Sequence, residues 1–106
     1  MKNITRNPEV VWREEEEARD DVISAMGRGE DASGEGTVLL MVAGMMHQLN
    51  ILGGEIWTRL DGSRDEAEIV DELYEVFDVD KDTLAGDVRA FLDDLAKRGW
   101  IRYDEQ

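Results

Sequence analysis

The residues that could do chemistry are few, and their spacing fits no common catalytic or metal-binding pattern. His47 is the only histidine and cysteine is absent, so neither a histidine pair for a metal nor a reactive thiolate is available. The first ligands of a calcium-binding loop are imitated by Asp78, Asp80 and Asp82. The sixth residue of that loop would be Thr83 where glycine is needed, and the twelfth would be Arg89 where glutamate is needed. The sequence therefore predicts no metal site.

Hydroxyl groups and glycines lead to the same interpretation. The serines are Ser24, Ser33 and Ser63. None of them lies in the Gly-x-Ser-x-Gly turn that exposes a catalytic nucleophile. The glycines form neither a phosphate-binding loop nor a dinucleotide fingerprint. We therefore expect a protein that is not an enzyme and that carries no cofactor.

The chain is strongly acidic, with 26 Asp and Glu against 12 Lys and Arg, a formal net charge of −14 and a pI near 4.3. Such a field repels phosphate backbones and anionic lipid, which argues against nucleic acid and membrane as partners. It would attract a basic partner, or it could serve solubility alone. The longest apolar stretch, residues 38–46, is too short to span a bilayer, and the N-terminus lacks a signal peptide's apolar core. We expect a cytoplasmic protein.

A short strand and a β-hairpin are predicted in the first half of the chain. Residues 10–13 contain β-branched and aromatic side chains and predict the strand. The apolar run at residues 37–42 is separated from residues 45–49 by Ala43 and Gly44, which allow a tight reversal. These three segments predict a three-stranded sheet.

An acidic segment, residues 15–36, separates that first strand from the hairpin. Helical spacing within it is shown by Ala18, Val22, Ala25 and Met26. Glycine-rich stretches follow, so we expect an extended loop or one short helix. The length of the chain predicts a single domain over residues 1–106.

Two helices are predicted after the hairpin. Asn50 can cap a helix over residues 51–60, and Gly62 suits the left-handed conformation that ends it. Ser63 and Glu66 have the spacing of a capping box that opens the second helix. Apolar residues at helical spacing then predict its buried face at Ile69, Val70, Leu73 and Phe77.

The third predicted helix covers residues 81–98, between an Asp80 cap and Gly99, and residues 100–103 predict a terminal strand. The predicted class is α+β and winged-helix-like, with an N-terminal three-stranded β-sheet followed by three α-helices. A winged helix raises the possibility of DNA binding. The third helix, however, balances four cations against four acids: Lys81, Arg89, Lys97 and Arg98 against Asp82, Asp87, Asp93 and Asp94. A neutral recognition helix argues against DNA.

Several short motifs follow one another in a fixed order. They are NPEVVWR at residues 7–13, LNILGGEIW at 49–57, LDGSR at 60–64, EIVDEL at 68–73, DVRAFLDDL at 87–95 and GWI at 99–101. Their order and spacing resemble the PqqD family, small peptide chaperones that are also called recognition elements of ribosomally made, modified peptides. The resemblance covers residues 7–14 and 37–102.

The resemblance implies that a leader peptide adds as a strand to the edge of the third strand, lies in a groove against the third helix, and is handed to a radical SAM enzyme. In this sequence the third strand is residues 45–49 and the third helix is residues 81–98. The peptide-binding candidates are then Met45, Met46, His47, Gln48, Leu84, Val88 and Leu92. The helix residues also have the spacing of a core stripe. Two adjacent methionines cannot both face the core of one strand, and methionine suits adaptable pockets.

The acidic segment is longer than the usual turn of that family and, with residues 44–50, resembles the branch found beside radical SAM enzymes with auxiliary iron–sulfur domains. Two alternatives stay open: a winged-helix DNA-binding domain, and a structural adaptor that binds protein but no leader peptide. The sequence leaves open which peptide is bound, which modification follows, whether the product is pyrroloquinoline quinone, the oligomeric state, and which strand face lines the groove.

Overall fold

Six strands and four helices follow one another in the parts of the chain that the computed structural model describes, residues 2–30 and 36–105. The strands are β1 (Lys2–Arg6), β2 (Val11–Glu14), β3 (Val38–Val42), β4 (Met45–Leu49), β5 (Asp61–Asp65) and β6 (Ile101–Glu105). The helices are α1 (Glu16–Gly27), α2 (Ile51–Thr58), α3 (Glu66–Val76) and α4 (Lys81–Arg98). They form two compact units, one of residues 8–55 and one of residues 1–7 with 56–106.

The unit of residues 8–55 contains an antiparallel sheet with the strand order β2-β3-β4. The predicted hairpin is confirmed, with Val42 opposite Met45 at its closed end. Ala43 and Gly44 both have positive φ, at 50° and 80°, which is the mirror-image turn whose twist matches that of two joined strands. The Cβ of Ala43 makes that conformation costly, whereas Gly44 adopts it freely.

The acidic segment folds largely as a helix, α1, which agrees with the second of the two forms predicted for it. Val22 and Ala25 are its buried residues. Arg19 fixes the helix by a bidentate ion pair, since its Nε and Nη2 donate to Glu55 at 2.7 and 2.9 Å. The part of the predicted loop at residues 31–35 lies outside the described residues.

The other unit contains a second antiparallel sheet, with the order β5-β1-β6. The terminal strand β6 was predicted, but β1 and β5 were not. In β1 only Ile4 is apolar and buried, so the period-two signal of a strand is weak. Pairing on both sides of β1 supplies the hydrogen bonds that make the segment extended.

The predicted start of the second helix was wrong. Ser63 lies in β5, where its hydroxyl donates to Asp61, and Asp65 is the N-cap of α3. The Asp65 carboxylate accepts from the Glu68 N–H at 2.9 Å, and the Glu68 carboxylate accepts from the Asp65 N–H at 3.1 Å. Ser63 and Asp65 can each cap a helix, and each is followed by a glutamate three positions later. Pairing of β5 with β1 keeps Ser63 extended, so Asp65 is the residue that caps α3. Gly62 likewise has a positive φ, 87°, within β5 and does not end α2.

Helices α3 and α4 form the core of this unit as predicted. Ile69, Val70 and Leu73 are buried on α3. Asp80 caps α4 by accepting from the Thr83 N–H at 3.1 Å, and Gly99 ends it with a φ of 76°. The buried stripe of α4 is Leu84, Val88, Leu92 and Leu95.

The predicted α+β class is confirmed, but the order of elements differs from the prediction. The predicted order had one three-stranded sheet followed by three helices. The structure also contains the helix α1 and a second sheet, β5-β1-β6. The single domain over residues 1–106 and the winged-helix likeness stay predictions.

Candidate functional site

Strand β4 forms one edge of the β2-β3-β4 sheet, since no further strand pairs with it among residues 2–30 and 36–105. An edge strand exposes a row of backbone N–H and C=O groups that can pair with another chain. The strand carries four of the predicted site residues, Met45, Met46, His47 and Gln48.

The tight turn fixes which backbone groups of β4 point to the inside of the sheet. The residues that flank a two-residue hairpin turn, here Val42 and Met45, form a hydrogen-bonded pair. Direction alternates along a strand, so Met45, His47 and Leu49 direct their N–H and C=O groups toward β3. The Leu49 carbonyl shows this directly by accepting from the Thr37 N–H at 2.8 Å.

Met46 and Gln48, which lie between those residues, therefore direct their backbone N–H and C=O groups away from β3. Each offers one donor and one acceptor at the sheet edge, spaced two residues apart along the strand. This is the spacing at which an added strand forms hydrogen bonds, so the edge can accept a peptide in extended conformation.

The outer face of the sheet carries an exposed apolar row across all three strands. Val11 lies opposite Met41, and Met41 lies opposite Met46. Their exposed fractions are 67%, 42% and 61%. Together with Trp12, Arg13, Leu39 and Leu40, the three residues line a hollow of about 460 Å³. The inner face contrasts with this row, because Leu40 and Val38 are buried on it.

The next row of the outer face is more polar. It runs from Arg13 through Leu39 to Gln48. Arg13 is exposed, and its Nη2 donates to the Glu15 carboxylate at 2.7 Å. The sheet face thus offers one apolar row and one mixed row, side by side, and both end at the β4 edge.

Buried contacts hold α2 against the start of the hairpin. The Asn50 side chain caps α2, as predicted, by accepting from the Gly53 N–H at 2.9 Å. Gly54 packs closely on the first residues of the hairpin, since a Cβ there would stand 2.5 Å from the Thr37 Oγ1. The Glu55 carboxylate is 3% exposed, and its hydrogen bonds raise the pKa of Arg19 above the ordinary value. These contacts fix α2 against α1 and against the start of β3, the strand that pairs with β4.

The remaining predicted site residues are placed differently. Leu84, Val88 and Leu92 lie in the other unit and are buried, with exposed fractions of 2%, 0% and 0%. They offer no side-chain surface to a ligand in this structure, in agreement with the core stripe that their spacing also predicts. His47 is half-buried, and Met45 is exposed beside the turn.

Sequence reasoning missed Val11 and Met41 as members of the exposed row. Each lies in a segment that was correctly predicted as a strand. Strand alternation and the hairpin register could have found Met41, because a two-residue turn places Met41 opposite Met46. Val11 depends on the pairing of β2 with β3, for which the sequence carries no local signal.

Residues 2–30 and 36–105 contain no group of three or more His, Asp or Glu residues arranged to hold a metal ion. In that same part of the chain, no helix is both long enough and apolar enough to cross a membrane.

Comparison with known proteins gives one family and two similar structures. TbiB1 in complex with the TbiA(β) leader peptide is 23% identical, with a TM-score of 0.63 over 92% of this chain and 94% of that chain. A lasso peptide synthetase B1 complexed with the leader peptide is 18% identical, with a TM-score of 0.64 over 94% of this chain and 98% of that chain. These likenesses show the fold. No curated protein sequence matches the chain significantly.

The family match agrees with the motifs that carry the resemblance. The model of coenzyme PQQ synthesis protein D matches residues 36–101, which include the β3–β4 hairpin, α2, α3 and α4. The match spans more than half of the sequence. The chain belongs to the PqqD family.

Proposed function

We propose that this protein binds the leader of a ribosomally made precursor peptide by adding it as a strand to the edge of β4. The observation that carries the proposal is the outward direction of the Met46 and Gln48 backbone groups on an edge strand. Family membership supports a peptide as the ligand, and both similar structures are named as complexes with a leader peptide.

The proposed contact lies on β4, with Met45, Met46, His47 and Gln48 closest to the peptide. Direct contact with Leu84, Val88 and Leu92 would require side chains that are buried here to become exposed on binding. Backbone pairing gives affinity that tolerates sequence variation, while neighbouring side chains select among peptides. The net charge of −14 favours a leader with basic residues near the edge.

The chemistry belongs to a separate enzyme in this proposal, and the protein itself is not catalytic. The enzyme implied by the resemblance is a radical SAM enzyme, to which the bound peptide is presented. The second candidate role is that of a lasso peptide synthetase component, since one similar structure is named lasso peptide synthetase B1 and aligns over 94% of this chain. Neighbouring genes separate the two, since the modifying enzyme and its precursor are expected beside this one.

Proline at Gln48 tests the strand edge. The probe is a peptide selected for binding from a random fifteen-residue library displayed on phage and then synthesised. Gln48→Pro removes one outward N–H, and a hydrogen bond worth about 0.5–1.5 kcal/mol corresponds to a loss of affinity of about two- to tenfold. Gln48→Ala is the matched control, because it removes the side chain and keeps the N–H. We expect it to bind within about twofold of the unchanged protein.

Amide chemical shifts decide where the peptide lies. We expect the largest shifts at Met46 and Gln48 when the selected peptide is added to isotope-labelled protein. Shifts confined to Trp12 or to the acidic segment of residues 15–36, with residues 45–49 unmoved, would contradict the proposal. Equal affinities of Gln48→Pro and Gln48→Ala, with both proteins folded, would also contradict it.

A further inference from the structure

The apolar row formed by Val11, Met41 and Met46 ends abruptly at the sheet edge. Met46, its last member, is 61% exposed and has β3 on one side only. A strand added to β4 would place a new residue directly opposite Met46, with its Cβ about 4.5–5.5 Å away and its side chain on the same outer face. Among residues 2–30 and 36–105 no strand continues the row past Met46, so a strand added to β4 would supply its fourth position.

We propose that the bound peptide carries a large apolar side chain in the position paired with Met46, where it completes the row on the outer face. The proposal rests on the function proposed above and names one determinant of specificity within it. A leucine-sized side chain would cover Met46 and reach toward the hollow that Met41 and Leu39 line. A charged or small polar side chain would leave Met46 exposed.

The neighbouring positions restrict this preference to one residue of the peptide. Two residues further along β4, Gln48 ends the mixed row that begins at the exposed Arg13. Two residues in the other direction the turn residue Gly44 has no side chain. On the outer face, the peptide therefore meets an apolar neighbour at Met46 alone, and the position paired with Gln48 tolerates polar residues.

The selected peptide described above is the probe. Contacts between peptide and Met46 backbone protons, measured by nuclear Overhauser effects, identify the paired residue, which is then replaced by leucine, serine and glutamate. We expect serine and glutamate to bind about three- to tenfold more weakly than leucine, from one lost cross-strand apolar contact and its buried area. The same three residues opposite Gln48 should bind within about twofold of one another.

Met46→Gln and Met45→Gln form the matched pair of protein variants. The two methionines are almost equally exposed, at 61% and 63%, but lie on opposite faces of the strand. Met46→Gln should reduce the preference for leucine to less than about twofold, and Met45→Gln should leave it intact.

The outcomes separate this inference from the function on which it rests. If no selected peptide shifts the Met46 and Gln48 amides, strand addition fails and the inference fails with it. If those amides shift but leucine, serine and glutamate bind equally well opposite Met46, the apolar determinant alone is overturned. The apolar determinant is also overturned if Met45→Gln abolishes the preference for leucine and Met46→Gln does not.

Discussion

Replacing Gly54 and Gly86 by alanine makes the same chemical change in two helices, and we expect opposite effects on stability. A Cβ on Gly54, in α2, would stand 2.5 Å from the Thr37 Oγ1 and 3.0 Å from the Val38 Cγ2. A Cβ on Gly86, in α4, would have nothing within 4 Å. The first substitution therefore creates a collision, and the second meets only open space.

The magnitudes follow from two opposing terms. Alanine is favoured over glycine in a helix interior by about 1 kcal/mol, and this term applies to both sites. Overpacking a filled site costs about 1–3 kcal/mol. It applies to Gly54 alone, where Thr37 and Val38 are each 1% exposed and cannot move without disturbing the hairpin. A Cβ at 2.5 Å is closer than ordinary packing allows, so the upper part of the overpacking range, about 2–3 kcal/mol, applies. We therefore expect Gly54→Ala to lower the free energy of unfolding by about 1–2 kcal/mol and Gly86→Ala to raise it by about 0.5–1 kcal/mol.

Urea denaturation and thermal melting of the two variants provide the measurement. For a chain of this length, 1 kcal/mol corresponds to a shift of about 4 °C in Tm, so the two variants should differ by several degrees in opposite directions. Stabilisation by Gly54→Ala comparable to that by Gly86→Ala would refute the close approach of α2 to the start of β3.

Two further predictions concern the other unit. Leu92→Ala should lower the free energy of unfolding by about 2–5 kcal/mol, and Val79→Ala, at an exposed site, by no more than about 0.5 kcal/mol. A Leu92→Ala protein of unchanged stability would contradict the place of Leu92 in the core. Hydrogen bonds from Arg64 and then Arg59 lower the pKa of Glu72 below its ordinary value of 4.5. The stability this provides is present above pH 4.5 and is lost as the pH falls through the lowered pKa. Urea denaturation at a series of pH values should therefore show that the free energy of unfolding falls less steeply below that pH for Glu72→Gln than for the unchanged protein. Equal slopes for the two proteins would count against the interaction.

Local patterns were sufficient to predict the hairpin and the last helix. The β3–β4 hairpin depends on a two-residue turn between apolar runs, and α4 depends on its Asp80 cap, its buried stripe and Gly99. All of these signals lie within about twenty neighbouring residues, so they can be found without knowledge of the rest of the chain.

Pairing between distant segments explains what the sequence did not reveal. Lys2–Arg6 becomes a strand because it pairs with Ile101–Glu105 at the other end of the chain, and its own side chains carry little strand signal. The choice of Asp65 over Ser63 as helix cap follows from the same sheet. Tertiary hydrogen bonds override local propensity in both places.

The candidate site likewise contains residues that local patterns predict and residues that only pairing between distant segments places there. Alternation along the strand predicts that one of two adjacent methionines is exposed; in the structure both Met45 and Met46 are exposed. The contribution of Val11 depends on the register between β2 and β3, which are separated by α1. No short-range pattern contains that register.

An edge strand that can accept a peptide can also accept a second copy of the same protein. Met45–Leu49 contains no lysine, aspartate, glutamate or proline, the residues with which proteins usually protect such edges from aggregation. The colloidal stability of the peptide-free protein therefore depends on repulsion between molecules that each carry a net charge of −14. That repulsion weakens as salt is added and disappears as the pH approaches the pI near 4.3. Solutions kept at low ionic strength and neutral pH should then stay clear for longest before a peptide occupies the edge.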